Sequence, residues 1–135
     1  MTGADLAEAA QALVGTRFRL GGRDPATGLD CIGLLEAALH RCGHQVRLPN
    51  GYALRLRDAA AWLPSPAEAG FVIAAPPFAP GDAVLLRVGP AQFHLAVHGL
   101  AGDWIHAHAG LRRVVRHSVM PTGEVIHHWR PAPCN

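Results

Sequence analysis

The sequence contains no lysine; all 12 of its basic residues are arginine. This reads as coding bias rather than function. The arginines are scattered, with only Arg112 and Arg113 adjacent, so no basic stripe for a nucleic acid is present. No apolar run approaches the ~18 residues of a membrane-spanning helix. The first fifteen residues carry Asp5 and Glu8 but no basic cluster, so no secretory signal peptide is expected and synthesis would be cytoplasmic. Three cysteines are too few, and odd in number, for a disulfide scaffold. Neither a lysine nor a GxGxxG pattern follows Gly21-Gly22, which excludes a phosphate loop. Charged residues make up only 16% against 50% apolar, which excludes a disordered chain and fits one domain over 1–135 with one core. Histidine is plentiful, nine in 135 residues, and histidine is both a common metal ligand and the usual acid-base group near neutrality.

The pattern along the chain changes once. Ala4 to Val14 reads as an amphipathic helix capped by Thr2 and stopped by Gly15, with Leu6, Ala10 and Leu13 on one stripe. A Gly- and Pro-rich loop follows to Gly28 and is expected to lie close to other backbone. Asp30 then caps a helix from Cys31 to Cys42, with Leu34, Leu35, Ala38 and Leu39 forming its buried face and Gly43 its stop. A weaker helical pattern covers 52–63. From Phe71 the period is that of short strands: Phe71–Ala74, Ala83–Val88, Gln92–His98, Asp103–Ala109, Leu111–Val115 and Val125–Arg130. Helices first and strands second, without room for crossover helices, predict an α+β fold with an antiparallel sheet.

Cys31 is the first chemical candidate. At a helix start, unpaired amides and the positive dipole end favour a thiolate, and such sites bring a cysteine from about 8.5 down to ~3.5–7.5. The bland alternative is a small buried hydrophobe. Cys42 lies ~16 Å away along the same helix, too far for a disulfide, and Cys134 sits in a Pro-flanked tail; both read as bystanders. A thiol nucleophile needs a base and an orienting partner. If His98 faces Gly102 across a three-residue loop, His94 lies opposite His106 on one face, which supplies both; a shift of one residue would separate them. His94, His98, His106 and His108 share one parity and could instead hold zinc. The nearest acidic residue, Asp103, is on the opposite face, so no metal or cofactor is expected. His40, His44, His117, His127 and His128 are expected to be solvated or merely satisfied. Arg17, Arg19 and Arg23 could hold an anionic substrate, but solvation is the ordinary reading.

In order and spacing the residues resemble the NlpC/P60 family of papain-like cell-wall cysteine peptidases, over roughly residues 4 to 130. Gly15-Thr-Arg-Phe-Arg-Leu-Gly-Gly22 resembles its Gly-x-Pro-Tyr-x-x-Gly-Gly segment, and Gly28-Leu-Asp-Cys31-Ile-Gly its Asp-Cys-Ser-Gly nucleophile motif. Pro80-Gly-Asp82, His94-Leu-Ala-Val and Ile105-His106-Ala107 resemble the entry to the central strands, the base strand and the third polar position. The resemblance implies hydrolysis of peptidoglycan stem peptides, typically between γ-D-glutamate and a diamino acid. Cys31 would attack, His94 would act as base and His106 would orient it, with the Cys31 amide as oxyanion donor. Phe18 stands where the family has Tyr and Ile32 where it has Ser. Both bear on substrate binding, for which Phe18 and Asp30 are the candidates, Asp30 through a free amine. The segment Gly-Arg-Asp-Pro-Ala-Thr-Gly28 resembles the phage-tail and gene-transfer-agent branch, implying tail proteins as partners, carriage on a particle and action in the periplasm or wall. Two alternatives stay open: a silent module that binds wall peptide or plugs a tail tip, and a thiol amidase or acyltransferase on the same fold.

Overall fold

The computed structural model describes residues 1–51, 61–63 and 65–133. Helix α1, Gly3–Ala12, starts at Thr2 through a reciprocal capping box: the Asp5 amide donates to Thr2 Oγ1 (3.0 Å) and the Thr2 amide to Asp5 Oδ2 (2.8 Å). It ends at Ala12, two residues short of the expected Val14, and Gly15 follows in the left-handed region (φ 93°). Strands β1 (Arg23–Asp24) and β2 (Gly28–Leu29) pair as a two-stranded ribbon in the glycine-rich stretch. Helix α2, Cys31–Arg41, is capped by Asp30, whose Oδ1 accepts the Gly33 amide at 2.8 Å.

α2 differs from the expected amphipathic helix, because Ile32 through Leu39 are all buried. It packs against α1, β1 and the sheet, so it has no solvent face to spare for Glu36. That buried carboxylate is satisfied instead by Arg23 Nη1 (2.8 Å) and the Leu48 amide (2.9 Å). Arg23 also donates to the Leu48 and Pro49 carbonyls. Arg23 is therefore not the solvated residue anticipated: it ties the loop before α2, the helix itself and the segment after it. Residues 52–60 of the helix anticipated over 52–63 lie outside the described residues, as does Cys134.

After a short 3-10 turn, Pro66–Ala69, six strands form one antiparallel sheet in the order β3-β8-β4-β5-β6-β7. They are β3 (Phe71–Ile73), β4 (Ala83–Gly89), β5 (Gln92–His98), β6 (Trp104–His108), β7 (Arg113–His117) and β8 (Glu124–Pro131). Alternation sorts their side chains. Leu85, Leu95, Val97, Ile105, Ala107, Val114 and Trp129 join the helices in the main core. Val84, Leu86, Ala96 and Trp104 form a smaller cluster with Phe78 and Met120. Asp82, fully buried at the start of β4, pins the sheet through His128 Nε2 (2.6 Å), a two-pronged Arg130 and the Ala79 amide.

Candidate active site

The polypeptide around Cys31 is drawn together by close backbone approach. Asp30 Oδ2 accepts the Gly21 amide at 2.8 Å, so one carboxylate both caps α2 and holds the Gly15–Gly22 loop against it. A Cβ on Gly33 would run into the Gly22 carbonyl, and one on Gly22 into the Gly28 carbonyl. This packing places Phe18, Leu20 and Asp30 beside Cys31 in the wall of a cleft of about 470 Å³.

The opposite wall comes from the β5–β6 hairpin, whose register differs from the one anticipated. His98 faces Trp104 rather than Gly102, and Val97 faces Ile105. A five-residue connection with Gly102 at φ 80° and a Gly99 amide to Asp103 carbonyl bond (2.7 Å) makes the turn. The slip is two residues, so every side chain keeps its face. His94 and His106 are thus diagonal rather than directly opposed. Pairing of β5 with β6 is limited to these two residue pairs, and His94, His106 and His108 all line the cleft beyond them.

His94 Nε2 and His106 Nδ1 are 2.9 Å apart, with the rings perpendicular. His106 is 5% exposed, and its other nitrogen, Nε2, lies 3.3 Å from Nδ1 of His117 on β7. His117 was expected to be background. It belongs to this row because β6 pairs with β7, a neighbour relation that no local pattern signals. With Nε2 engaged, His94 has Nδ1 left for the thiol. The Cys31 sulfur sits by the amide of Leu95, the residue after His94.

The electrostatics reverse the expectation for the nucleophile. Desolvation pushes the Cys31 thiol up to about 11, and the Leu95, Ile32 and Cys31 amides lower it too little to compensate. Burial holds His94 down to about 4, helped by His108, and holds His106 down to about 4, helped by His94, His117 and His108. At neutral pH the resting pair is thiol and neutral imidazole.

The other candidates disperse. His98 packs its ring near Phe78 and Trp104, and His128 serves Asp82. The His40 ring meets the Val46 carbonyl at 2.7 Å. The ring nitrogens of His94, His106 and His117 face one another along a row rather than converging on a point. Among the described residues no group of three histidine, cysteine or acidic side chains has the arrangement of a metal-ligand set. Cys31 and Cys42 are free thiols at opposite ends of α2. No described helix is long and apolar enough to cross a membrane.

No protein-family profile matches the chain, and no curated protein does. Solved structures do. NlpC1 from Trichomonas vaginalis superposes with a TM-score of 0.69 at 20% identity, over 96% of this chain and 44% of that one. An NlpC/P60 family protein from Bacillus cereus gives 0.67 at 18%, over 98% and 41%. The NlpC/p60 domain of the peptidoglycan hydrolase SagA gives 0.55 at 26%, over 87% and 90%. The chain thus spans less than half the length of the first two, and about the whole of the isolated SagA domain. Two helices packed on an antiparallel sheet, with a cysteine opening the second helix, give this chain the α+β fold of the NlpC/P60 proteins.

Proposed function

We propose that the chain is a cysteine peptidase of the NlpC/P60 family that hydrolyses peptidoglycan stem peptides, at the bond between γ-D-glutamate and a diamino acid. The observation that carries this is the row Cys31, His94, His106 in one cleft: a thiol on a helix start, and a neutral imidazole whose far nitrogen is held by a second imidazole at 2.9 Å. The kinship of fold with the SagA hydrolase domain supports the choice of substrate. Because the resting pair is neutral, attack proceeds by general base catalysis. His94 Nδ1 takes the thiol proton as sulfur bonds to the carbonyl carbon, and later returns it to the leaving amine. Water then attacks the thioester with His94 again as base. The Cys31 amide has no acceptor within its helix, so it is available to the oxyanion.

Among the described residues the cleft wall is mostly apolar, and no arginine lines it. Asp30 is the one carboxylate among those described residues, and it already accepts two amides, so a substrate amine would add a third partner. Phe18 contributes an apolar surface without a hydroxyl. Carriage on a tail-like particle belongs to the same proposal, supported by the resemblance of the segment that here forms the β1–β2 ribbon.

Defined stem peptides incubated with the protein, with products weighed by mass spectrometry, test the reading. Cleavage is expected, with a loss of at least about 10³-fold in Cys31→Ala while the circular dichroism is unchanged. Undiminished cleavage by Cys31→Ala would end the thiol mechanism. Peptide bound but uncut by the unaltered protein would make it a wall-binding module, and amide transfer products would make it an acyltransferase.

A further inference from the structure

The histidine row does not stop at the third residue. His94 Nε2 meets His106 Nδ1 at 2.9 Å, and His106 Nε2 meets His117 Nδ1 at 3.3 Å, so the contacts run the same way from ring to ring. The ring planes are steeply crossed at both junctions (90° and 71°), which lets an in-plane N–H of one ring point at the edge of the next. The last ring is exposed on β7, whereas His106 is buried.

From this juxtaposition we infer that His117 is a positioning residue, which selects the tautomer of His106 and through it the tautomer of His94 that can accept a proton from Cys31. The inference rests on the peptidase reading for its kinetic consequence, but not for its structural one. A neutral imidazole has one N–H. For His94 to act as base at Nδ1, its proton must be on Nε2, donated to His106 Nδ1. His106 Nδ1 must then be bare, so the His106 proton is on Nε2 and needs an acceptor. His117 Nδ1 is that acceptor. When the thiol proton arrives at His94 Nδ1, His94 becomes the cation. It keeps its Nε2–H on His106, and His106 keeps its own on His117. No proton leaves the row, and the one gained passes from His94 to the leaving amine.

Without an acceptor at 117, His106 can move its proton to Nδ1. That opposes the His94 Nε2–H and drives the His94 proton to Nδ1, where the ring can no longer take one from sulfur. Among the described residues, the charged and titratable groups around His117 are His106 and His108 on β6, with ring centroids 5.1 and 6.0 Å away, and Arg113 and Arg116 on its own strand. Arg116 is bound to Asp103 at 3.0 Å and also reaches Gln11 of α1. Among these groups, only His117 has a nitrogen paired with His106 Nε2.

Two measurements on the intact chain decide it. Nitrogen-15 spectra of the imidazoles, which require no activity, should show a bare Nδ1 on both His94 and His106 at pH 7. His117→Ala should give mixed tautomers at both rings, and His117→Asn, whose amide oxygen replaces the accepting nitrogen, should restore the single form. If the unaltered protein cleaves stem peptide, His117→Ala should lower kcat about 3- to 10-fold with KM unchanged, and His117→Asn should recover to within about twofold. Unchanged tautomers in His117→Ala would overturn the inference while leaving the peptidase reading standing. Tautomers that follow the prediction in a protein that cuts nothing would sustain it and remove the peptidase reading. Equal losses in the Ala and Asn variants, with KM altered, would assign His117 a merely structural role.

Discussion

A cysteine at a helix start is ordinarily read as an activated thiolate, because dipole and free amides both favour the anion. Cys31 has these features and still titrates at about 11, because the cost of burying a thiolate outweighs them even with the Leu95 amide at the sulfur. The same burial holds His94 at about 4, so the two groups are far from exchanging a proton at rest. This has a measurable consequence. Alkylation of Cys31 by iodoacetamide, followed by peptide mass, should rise about tenfold per pH unit from 7 towards 10. A plateau near pH 6 would reveal a preformed thiolate and overturn the neutral pair. The motif that places Cys31, its capping Asp30 and the downstream His94 was legible in the residues themselves. The depth of the site was not, since desolvation depends on what distant segments lay over it.

At the scale of elements, the start of α2 is set by contacts between backbones. Alanine in place of a helical glycine ordinarily gains up to ~1 kcal/mol. At Gly33 a Cβ would meet the Gly22 carbonyl, so the loop carrying Phe18 would have to retreat. Gly33→Ala should therefore destabilise by about 1–3 kcal/mol, read from denaturant midpoints, and lower cleavage more than its stability loss explains. Stabilisation by this change would show the loop to be free of the helix. Strand positions and caps were readable from alternation and from Thr2 and Asp30, within a residue or two. The β5–β6 register differs by two residues from the expected one because the connection has five residues, not three. His94 and His106 still meet, at 2.9 Å, because side chains repeat every second residue.

For the molecule as a whole, acid should be the weak direction. His94 and His106 titrate near 4 in the fold against 6.5 for the ordinary side chain, so between those values the unfolded chain binds protons that the folded one refuses. Stability is then fully present above about pH 6.5 and falls as pH drops towards 4. Asp82 acts lower. Burial opposes its charge, but Arg130, the Ala79 amide and His128 hold it below 3.8, so its contribution persists until pH falls through that range. Asp82→Asn should cost about 3 kcal/mol at pH 7, by leaving Arg130 and His128 without their anion. It should also flatten the melting-temperature profile below pH 4 while sparing the slope between 4 and 6.5. A profile unchanged at every pH would remove Asp82 as the sheet's pin. Arg23 and Glu36 show the limit of reading along the chain, since thirteen residues separate two charges that meet only because α2 is enclosed on every side. Chain order alone determined that both helices precede the six-stranded sheet, that Cys31 opens a helix and that His94 lies on a strand, because caps, breakers and side-chain alternation act between near neighbours. Only the tertiary structure decided that thiol and imidazole rest uncharged and that His117 completes the row, because burial and strand pairing are made by residues far apart in sequence.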